Sequence, residues 1–550
     1  MSLNRRSFLV GSLATLAACS SSSPTAPTSA PPSTGAGTTS TAVATTPAPA
    51  ITAAPATTST AVPTTAPTTA PSTTTVTPTG ANPFALGVAS GDPTPDGVIL
   101  WTRFTGDPGD PVSVDWSVSE DKAFTAVVKK GTVAALAANG FSVHVDVTGL
   151  IAGTKYFYRF EHKGWRAEGR TGTLAVPSSR VDQLRFGFAS CQRYENGFFT
   201  AHTDMAANNL DLVVWLGDYI YEYAAEPIDP TKGMIRAVTG GKLTTLEDYR
   251  QRYALYRADP ALQASHAACP WLVVWDDHEV ENNYAADASE TGIGSADFAK
   301  QRAVAYQAWW EFMPTRLPHP ESPAYKIYRS VTYGSLANIF LLDGRQYRTD
   351  QACGDAILST KPPCPETNEP DRTMLGAEQE SWLLGAMATS TTTWNVMANQ
   401  VVFADATLNG AVLNYDQWDG YPAARRRIVD GIAASGKKNT VIITGDIHLA
   451  AVADITRKVE GARQVIATEF VGTSVSSGGL LPANLESAIS AFPDLRYLNA
   501  RQRGWCLNEV TPTTWTATFR VVDDPTVVGS KMTTDAVFRV APDRPGASRL

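Results

Sequence analysis

The stretch VVWDDHEVENN, residues 273–283, runs from an apolar segment straight into a dense group of cation-binding side chains. Trp271 to Trp275 has the unbroken apolar character of a strand buried on both faces. Asp276, Asp277, His278, Glu279, Asn282 and Asn283 follow it at once with oxygen and nitrogen donors. Three other apolar runs end in the same way. GFASCQ (187–192) ends at Ser190 and Cys191, VVWLGDYIY (213–221) at Asp218 and Tyr221, and VIITGDIH (441–448) at Asp446 and His448. Buried strands that end in polar clusters are where α/β and sandwich enzymes gather their catalytic groups. Taken singly, each signal is weak. A Gly-Asp after a strand is commonly a turn or a helix cap, and a lone buried cysteine is commonly an inert small hydrophobe. Packing alone does not explain four strand ends that together supply oxygen, nitrogen and sulfur donors, and the pattern points to a metal site.

Working outward, helical periodicity occupies Leu246–Arg257, Ser295–Phe312 and 376–388, between the apolar runs. Residues 83–179 differ in pattern, with short alternating strands at 98–104, Val112–Ser119, 141–147 and Lys155–His162, set off by Gly, Pro and Asp turns. FSVHVDVTGL (141–150) alternates apolar and polar residues as a half-buried strand does. VTGLIAGTKY (147–156) resembles the strand–turn–strand corner of fibronectin type III domains, which implies a small all-β sandwich used for packing or shielding. The expected fold class is therefore α/β (α+β): a β-sandwich flanked by helices over 180–540, preceded by that small all-β domain.

The order of the four strand-end blocks is similar to the metallophosphoesterase superfamily, with specific departures. Ser190-Cys191 replaces the first block, Asp276-Asp277 replaces Gly-Asn, and Asp446 replaces the first histidine of the last block. Those departures are the ones found in PhoD-type alkaline phosphatases. The resemblance continues through GVASGDP (87–93), LDGRQYR (342–348) and TEFVGTS (468–474), and it covers essentially everything after residue 83. Gly344 stands where threonine is expected. The resemblance implies a ferric ion held by Cys191, Asp218, Tyr221 and His448, and calcium sharing Asp218 with Asp277, Asp446 and either Asn282 or Asn283. Asn399 takes the place of an isolated histidine block, which implies a place in the metal site. The implied chemistry is hydrolysis of phosphate monoesters, diesters or both by metal-bound hydroxide. His278 would protonate or steady the leaving oxygen. Arg345 would either fork onto a phosphate or form a structural salt bridge. Arg193 and Tyr194 are pocket candidates by position alone. A phospholipase D-like or teichoic-acid-cleaving diesterase is an alternative, and a tethered surface-binding protein with a structural metal is a more remote one.

The rest of the chain sets the context. Arg5-Arg6 followed by an apolar stretch to Cys19 reads as a twin-arginine export signal (1–19), too short to span a bilayer. Leu16-Ala17-Ala18-Cys19 is similar to a bacterial lipobox, so an extracytoplasmic lipoprotein anchored at Cys19 is expected, with that anchor its only membrane contact. Residues 20–82 are almost wholly Ser, Thr, Ala, Pro and Gly, a composition that cannot bury enough apolar surface to order itself and that suits a tether. Cys353 and Cys364 flank a loop that an oxidising compartment allows a disulfide to close, while Cys269 and Cys506 read as buried thiols. With a formal net charge of -8 and no long basic run, nothing favours nucleic acid as a partner. The expected partner is a phosphate ester substrate, and the expected state is a monomer.

Overall fold

The computed structural model describes residues 80–550, apart from 107, 108, 358, 360, 481–485, 487 and 488. The export signal, the lipobox and nearly all of the tether lie outside the described residues. Among the described residues, no helix is long and apolar enough to cross a membrane.

The apolar runs become the central strands. Leu212–Leu216, Trp271–Val274 and Thr440–Thr444 are buried at every position, as strands covered on both faces must be. Leu184–Ala189, Leu212–Leu216 and Trp271–Val274 lie side by side in parallel within a ten-stranded mixed sheet. A seven-stranded mixed sheet carries a second parallel run, Ala337–Leu341, Trp394–Ala398, Thr440–Thr444 and Ala462–Val471. The two sheets share one core. Ile339, Leu341, Val396, Val441, Ile443 and Phe470 of the second pack in the same cluster as Phe186, Phe188, Val214 and Trp515 of the first. The alternate residues Phe340, Met397 and Ile442 point the other way, into a core shared with Leu383 and Met387 of helix Gly376–Thr389 and Ile428 and Ile432 of helix Pro422–Ala434. Period-two alternation thus divides each strand between two cores.

The helices start where their sequences say they should. Thr245 accepts a hydrogen bond from the Asp248 amide while the Asp248 carboxylate accepts from the Thr245 amide, a reciprocal box that opens helix Leu246–Arg257. Helices Pro260–Ala268 and Pro422–Ala434 begin with proline, whose missing N–H costs nothing in a first turn.

The segment 83–179 has its own core, in which Val98, Leu100, Val145 and Val147 meet Val114, Val118, Tyr158 and Phe160. Its sheets, however, are not both its own. Val88–Thr94 pairs in parallel with Trp271–Val274 at Gly91 and Trp271, so three strands of this segment extend the ten-stranded sheet. The other four, Val112–Ser119, Val127–Ala135, Lys155–His162 and Trp165–Gly172, form a separate antiparallel sheet that covers them.

Candidate metal centre

Parallel strands place their C-terminal ends together, and the residues singled out in the sequence meet there. The Cys191 amide donates to the Gly217 carbonyl (3.2 Å), and the Cys191 thiol lies 3.8 Å from the Asp446 carbonyl oxygen, which joins the ends of the two sheets. Gly217 is required at this crossing. Its φ is +100°, and a side-chain carbon there would sit 2.4 Å from Asp276 Cβ. Cys191, Asp218, Asn283, Asp446 and His448 all hold positive φ, between 50° and 69°. Such conformations disfavour side chains and persist where surrounding structure imposes them, typically at functional sites.

Three groups of donors result, each with its ligand atoms within 4.8 Å of one another: Cys191, Asp218 and His448; Asp218, Asp277 and His278; and Asp276, Asp277 and Asp446. The first mixes sulfur, oxygen and nitrogen, the third is entirely oxygen, and the second links them through shared residues. Tyr221 joins the first group. Its hydroxyl donates to Asp218 Oδ2 (2.9 Å), lies 3.1 Å from His448 Nε2 and accepts from Ser477 Oγ (2.8 Å). His448 Nδ1 sits 2.6 Å from the Gly478 carbonyl, which can only accept, so the proton is on Nδ1 and Nε2 faces the cluster with its lone pair. Burial and the Arg503 guanidinium push His448 down to about 3, so the imidazole is neutral.

The electrostatics describe a concentration of negative charge out of water. Burial, together with neighbouring carboxylates, raises Asp218, Asp446 and the Cys191 thiol well above their ordinary values. Asp276 is pushed up to about 6 by burial, with Arg345 opposing. Burial would raise Asp277 too, but Arg345 and His278 outweigh it and hold it low. Asp218 Oδ1 and Asp276 Oδ2 are buried and have no hydrogen-bond partner among the described residues. A buried carboxylate oxygen without a partner is costly, and a polyvalent cation would offset the upward shifts of Asp218, Asp446, Cys191 and Asp276 at once. The donors fit such an ion.

His278 donates from Nδ1 to Glu222 Oε2 at 2.8 Å, and its ring lies against Tyr221, with centroids 4.1 Å apart. Burial would lower it, yet Asp277, Asp218 and Glu222 together hold it well above its ordinary value. Asn283 donates its amide N–H to Asp277 Oδ2 (2.7 Å) and its side-chain amide to Asp355 (2.6 Å). The Asn282 side-chain oxygen Oδ1 instead accepts from the Tyr223 hydroxyl (3.0 Å).

Two expectations need correction. Arg345 offers no free fork. It is fully buried, donates from Nε to Asp276, and pairs both terminal nitrogens with Asp416 at 2.8 Å each, so the salt-bridge alternative describes it. Asn399 accepts from Trp418 Nε1 (3.2 Å) and donates to the Val401 carbonyl, which ties both ends of its amide to the fold rather than to the donor cluster. The disulfide Cys353–Cys364 is present, and Cys269 and Cys506 are buried free thiols.

The supporting roles of several residues were not read from the sequence. Glu279 accepts from the amides of Asp218, Tyr219 and Asp276, and so clamps two strand ends together. Glu222, Asp416 and Ser477 act one step behind the donors. Of these only Glu222, directly after Tyr221, and Glu279, inside the stretch 273–283, lay beside a signal that could have found them.

Fold and site together define a class: α/β proteins that gather buried cation-binding donors at the strand ends of two packed sheets. The family model described as PhoD-like phosphatase matches residues 186–519, and that of the PhoD-like phosphatase N-terminal domain matches residues 68–175. Alkaline phosphatase D of Bacillus subtilis (strain 168) is 42% identical over 485 residues, covering 85% of this chain and 82% of that one. A solved structure of PhoD superposes with a TM-score of 0.81 at 41% identity, covering 86% of this chain and 93% of that one. The chain belongs to the PhoD-like phosphatase family and is a phosphatase, which removes the non-enzymatic surface-binding alternative.

Proposed function

We propose that this chain is an exported, metal-dependent phosphoesterase that hydrolyses phosphate monoesters, diesters or both. One observation carries the reading: a group of mixed sulfur, nitrogen and oxygen donors adjoins an all-oxygen group, and Asp218 and Asp277 link them. The mixed set of Cys191, Asp218, Tyr221 and His448 suits a ferric ion. The oxygen set of Asp218, Asp277, Asp446 and Asn283 suits calcium, with Asp276 placed to join it. When bound, such metals supply Lewis acidity toward a phosphoryl group and acidify coordinated water.

The protein's own residues do the rest. Ser477 and Tyr221 orient the Asp218 carboxylate, and the Gly478 carbonyl fixes the His448 tautomer. His278, held by Glu222 through Nδ1, stands beside the donors and is placed to protonate or steady a leaving oxygen. Of the three carboxylates that favour its charged form, Glu222 is the one outside the donor groups, so its support does not depend on what the others bind. The N-terminal signal supports export by the twin-arginine route with lipid attachment at Cys19, and the composition of residues 20–82 supports a tether that holds the globular part off a membrane. A phospholipase D-like or teichoic-acid diesterase uses the same donors and differs in pocket width, so turnover of a monoester against a bis-ester separates it from a monoesterase.

The test is metal content by mass spectrometry on the pure protein, with its visible spectrum and hydrolysis of p-nitrophenyl phosphate. Iron with calcium, a tyrosinate or thiolate charge-transfer band, and activity lost in Asp218→Asn are expected. Active protein holding zinc, or no metal, would overturn the ligand assignment.

A further inference from the structure

With Arg345 fully paired, the guanidinium that stands nearest in sequence to a metal donor is that of Arg193. It follows Cys191 by two residues and is anchored by its backbone: its amide donates to Ser477 Oγ (2.8 Å), and its carbonyl accepts from Ser476 Oγ (3.0 Å). Ser477 in turn donates to Tyr221, so Arg193 is fixed to the same hydroxyl ladder as the metal donors. Its guanidinium lies over Tyr223, 4.9 Å from the ring centroid, and 6.0 Å from that of Tyr221. Both rings flank His278, with centroids 5.2 and 4.1 Å from the imidazole. The guanidinium and the proposed proton donor therefore share one aromatic wall.

Arg193 is also poorly satisfied. Its side chain is 16% exposed, and Nε and one terminal nitrogen are buried without a hydrogen-bond partner among the described residues. Its carboxylate neighbours, Glu195 and Glu226, each stand 3.6 Å away, within Coulomb range but too far for hydrogen bonds. Arg345, by contrast, makes three close hydrogen bonds to carboxylates. The two unbonded nitrogens are the ones that face these carboxylates, so a planar fork held by backbone anchors and stacked on tyrosines is paired through charge alone and keeps hydrogen-bonding capacity for an oxyanion.

We infer that Arg193 grips a non-bridging phosphoryl oxygen and favours dianionic monoesters over monoanionic diesters. The inference rests on the phosphoesterase reading above. A monoester whose second pKa is ~6 carries two charges at alkaline pH. A diester has an esterified oxygen where the second charge would be, so it gains less from an added guanidinium.

The experiment compares the metal-loaded full chain with Arg193→Gln and Arg193→Lys on p-nitrophenyl phosphate and bis(p-nitrophenyl) phosphate. Calorimetry with inorganic phosphate gives a readout independent of turnover. Arg193→Gln is expected to lower kcat/KM on the monoester ~10- to 100-fold, as loss of a charge-assisted hydrogen bond does. The diester loss is expected to be smaller by about tenfold, phosphate binding to weaken in step with the monoester, and Arg193→Lys to recover part of both. Equal losses on the two esters, or unchanged phosphate binding, would overturn the inference. Wild-type protein inactive on both esters would instead overturn the phosphoesterase reading. If Arg193→Gln does not fold, Glu226→Gln serves, since it removes a half-exposed competitor for the guanidinium and should tighten phosphate binding. No tightening counts against the role.

Discussion

Arg345→Met separates the two roles open to a guanidinium fork, and its effect follows from the geometry. The guanidinium is fully buried between Asp276 on one side and Asp416 on the other. Asp416 keeps other partners without it, because Arg348 and Gln351 each donate to its Oδ1 at 2.6 Å. Asp276 does not: its Oδ2 is already unpartnered, and its Oδ1 loses the Arg345 donor. The substitution therefore strands one buried carboxylate completely and leaves a second partly paired. Breaking a buried ion pair on one side costs about 3–5 kcal/mol. Since a metal-bearing protein of this size is not expected to unfold in two states, the readout is the thermal midpoint at matched scan rate, together with the affinity for inorganic phosphate. A large fall in midpoint is expected, with phosphate affinity of the folded, metal-loaded fraction little changed. Arg345→Lys, which keeps the charge but not the fork, should fall between wild type and Met. An unchanged midpoint with weakened phosphate binding would refute the reasoning and restore Arg345 as a substrate-binding residue.

Two further outcomes follow. Glu222→Gln removes the carboxylate that holds His278 while preserving the shape of the contact; kcat should fall ~10- to 100-fold, more for esters with poor leaving groups, and equal losses across leaving groups would count against proton delivery. Asp419 is buried, and burial, opposed by Arg425, pushes it up to about 7, so the fold favours its protonated form and loses stability as pH rises from the unfolded value near 4 through 7. Asp419→Asn should relieve that loss, raising the thermal midpoint relative to wild type at pH 8 but not at pH 4; a difference independent of pH would contradict it.

What could be read from the sequence was set by periodicity and its interruptions. Runs such as Leu212–Leu216 and Thr440–Thr444 lack alternation because both faces are covered, and the covering is visible as composition. Their ends were legible because Gly217-Asp218 and Gly445-Asp446 break an apolar run abruptly with residues that turn and bind. The joining of Val88–Thr94 to Trp271–Val274 was not legible, since a parallel pairing between distant segments leaves no local pattern. Arg345 was ambiguous for a chemical reason: a guanidinium matches a carboxylate and a phosphate equally well, and only the positions of Asp276 and Asp416 decide between them.

The same logic explains why the donors could be found while their supports could not. Many donors at these strand ends adopt a conformation that ordinary residues avoid, and five of the expected ligands do so. That demand is local, and it selects short motifs that can be recognised. The supports act at long range and on backbone atoms. Glu279 reaches back to the amides of Asp218 and Tyr219, and the Gly478 carbonyl fixes the His448 ring. A carbonyl has no residue identity, and a carboxylate that binds amides looks like any other glutamate. The strain at Cys191, Asp218, Asp446 and His448 is therefore stabilised by groups that leave no motif. Replacing Glu279 should disturb the donor geometry as much as replacing a donor, although nothing in its sequence neighbourhood distinguishes the two roles.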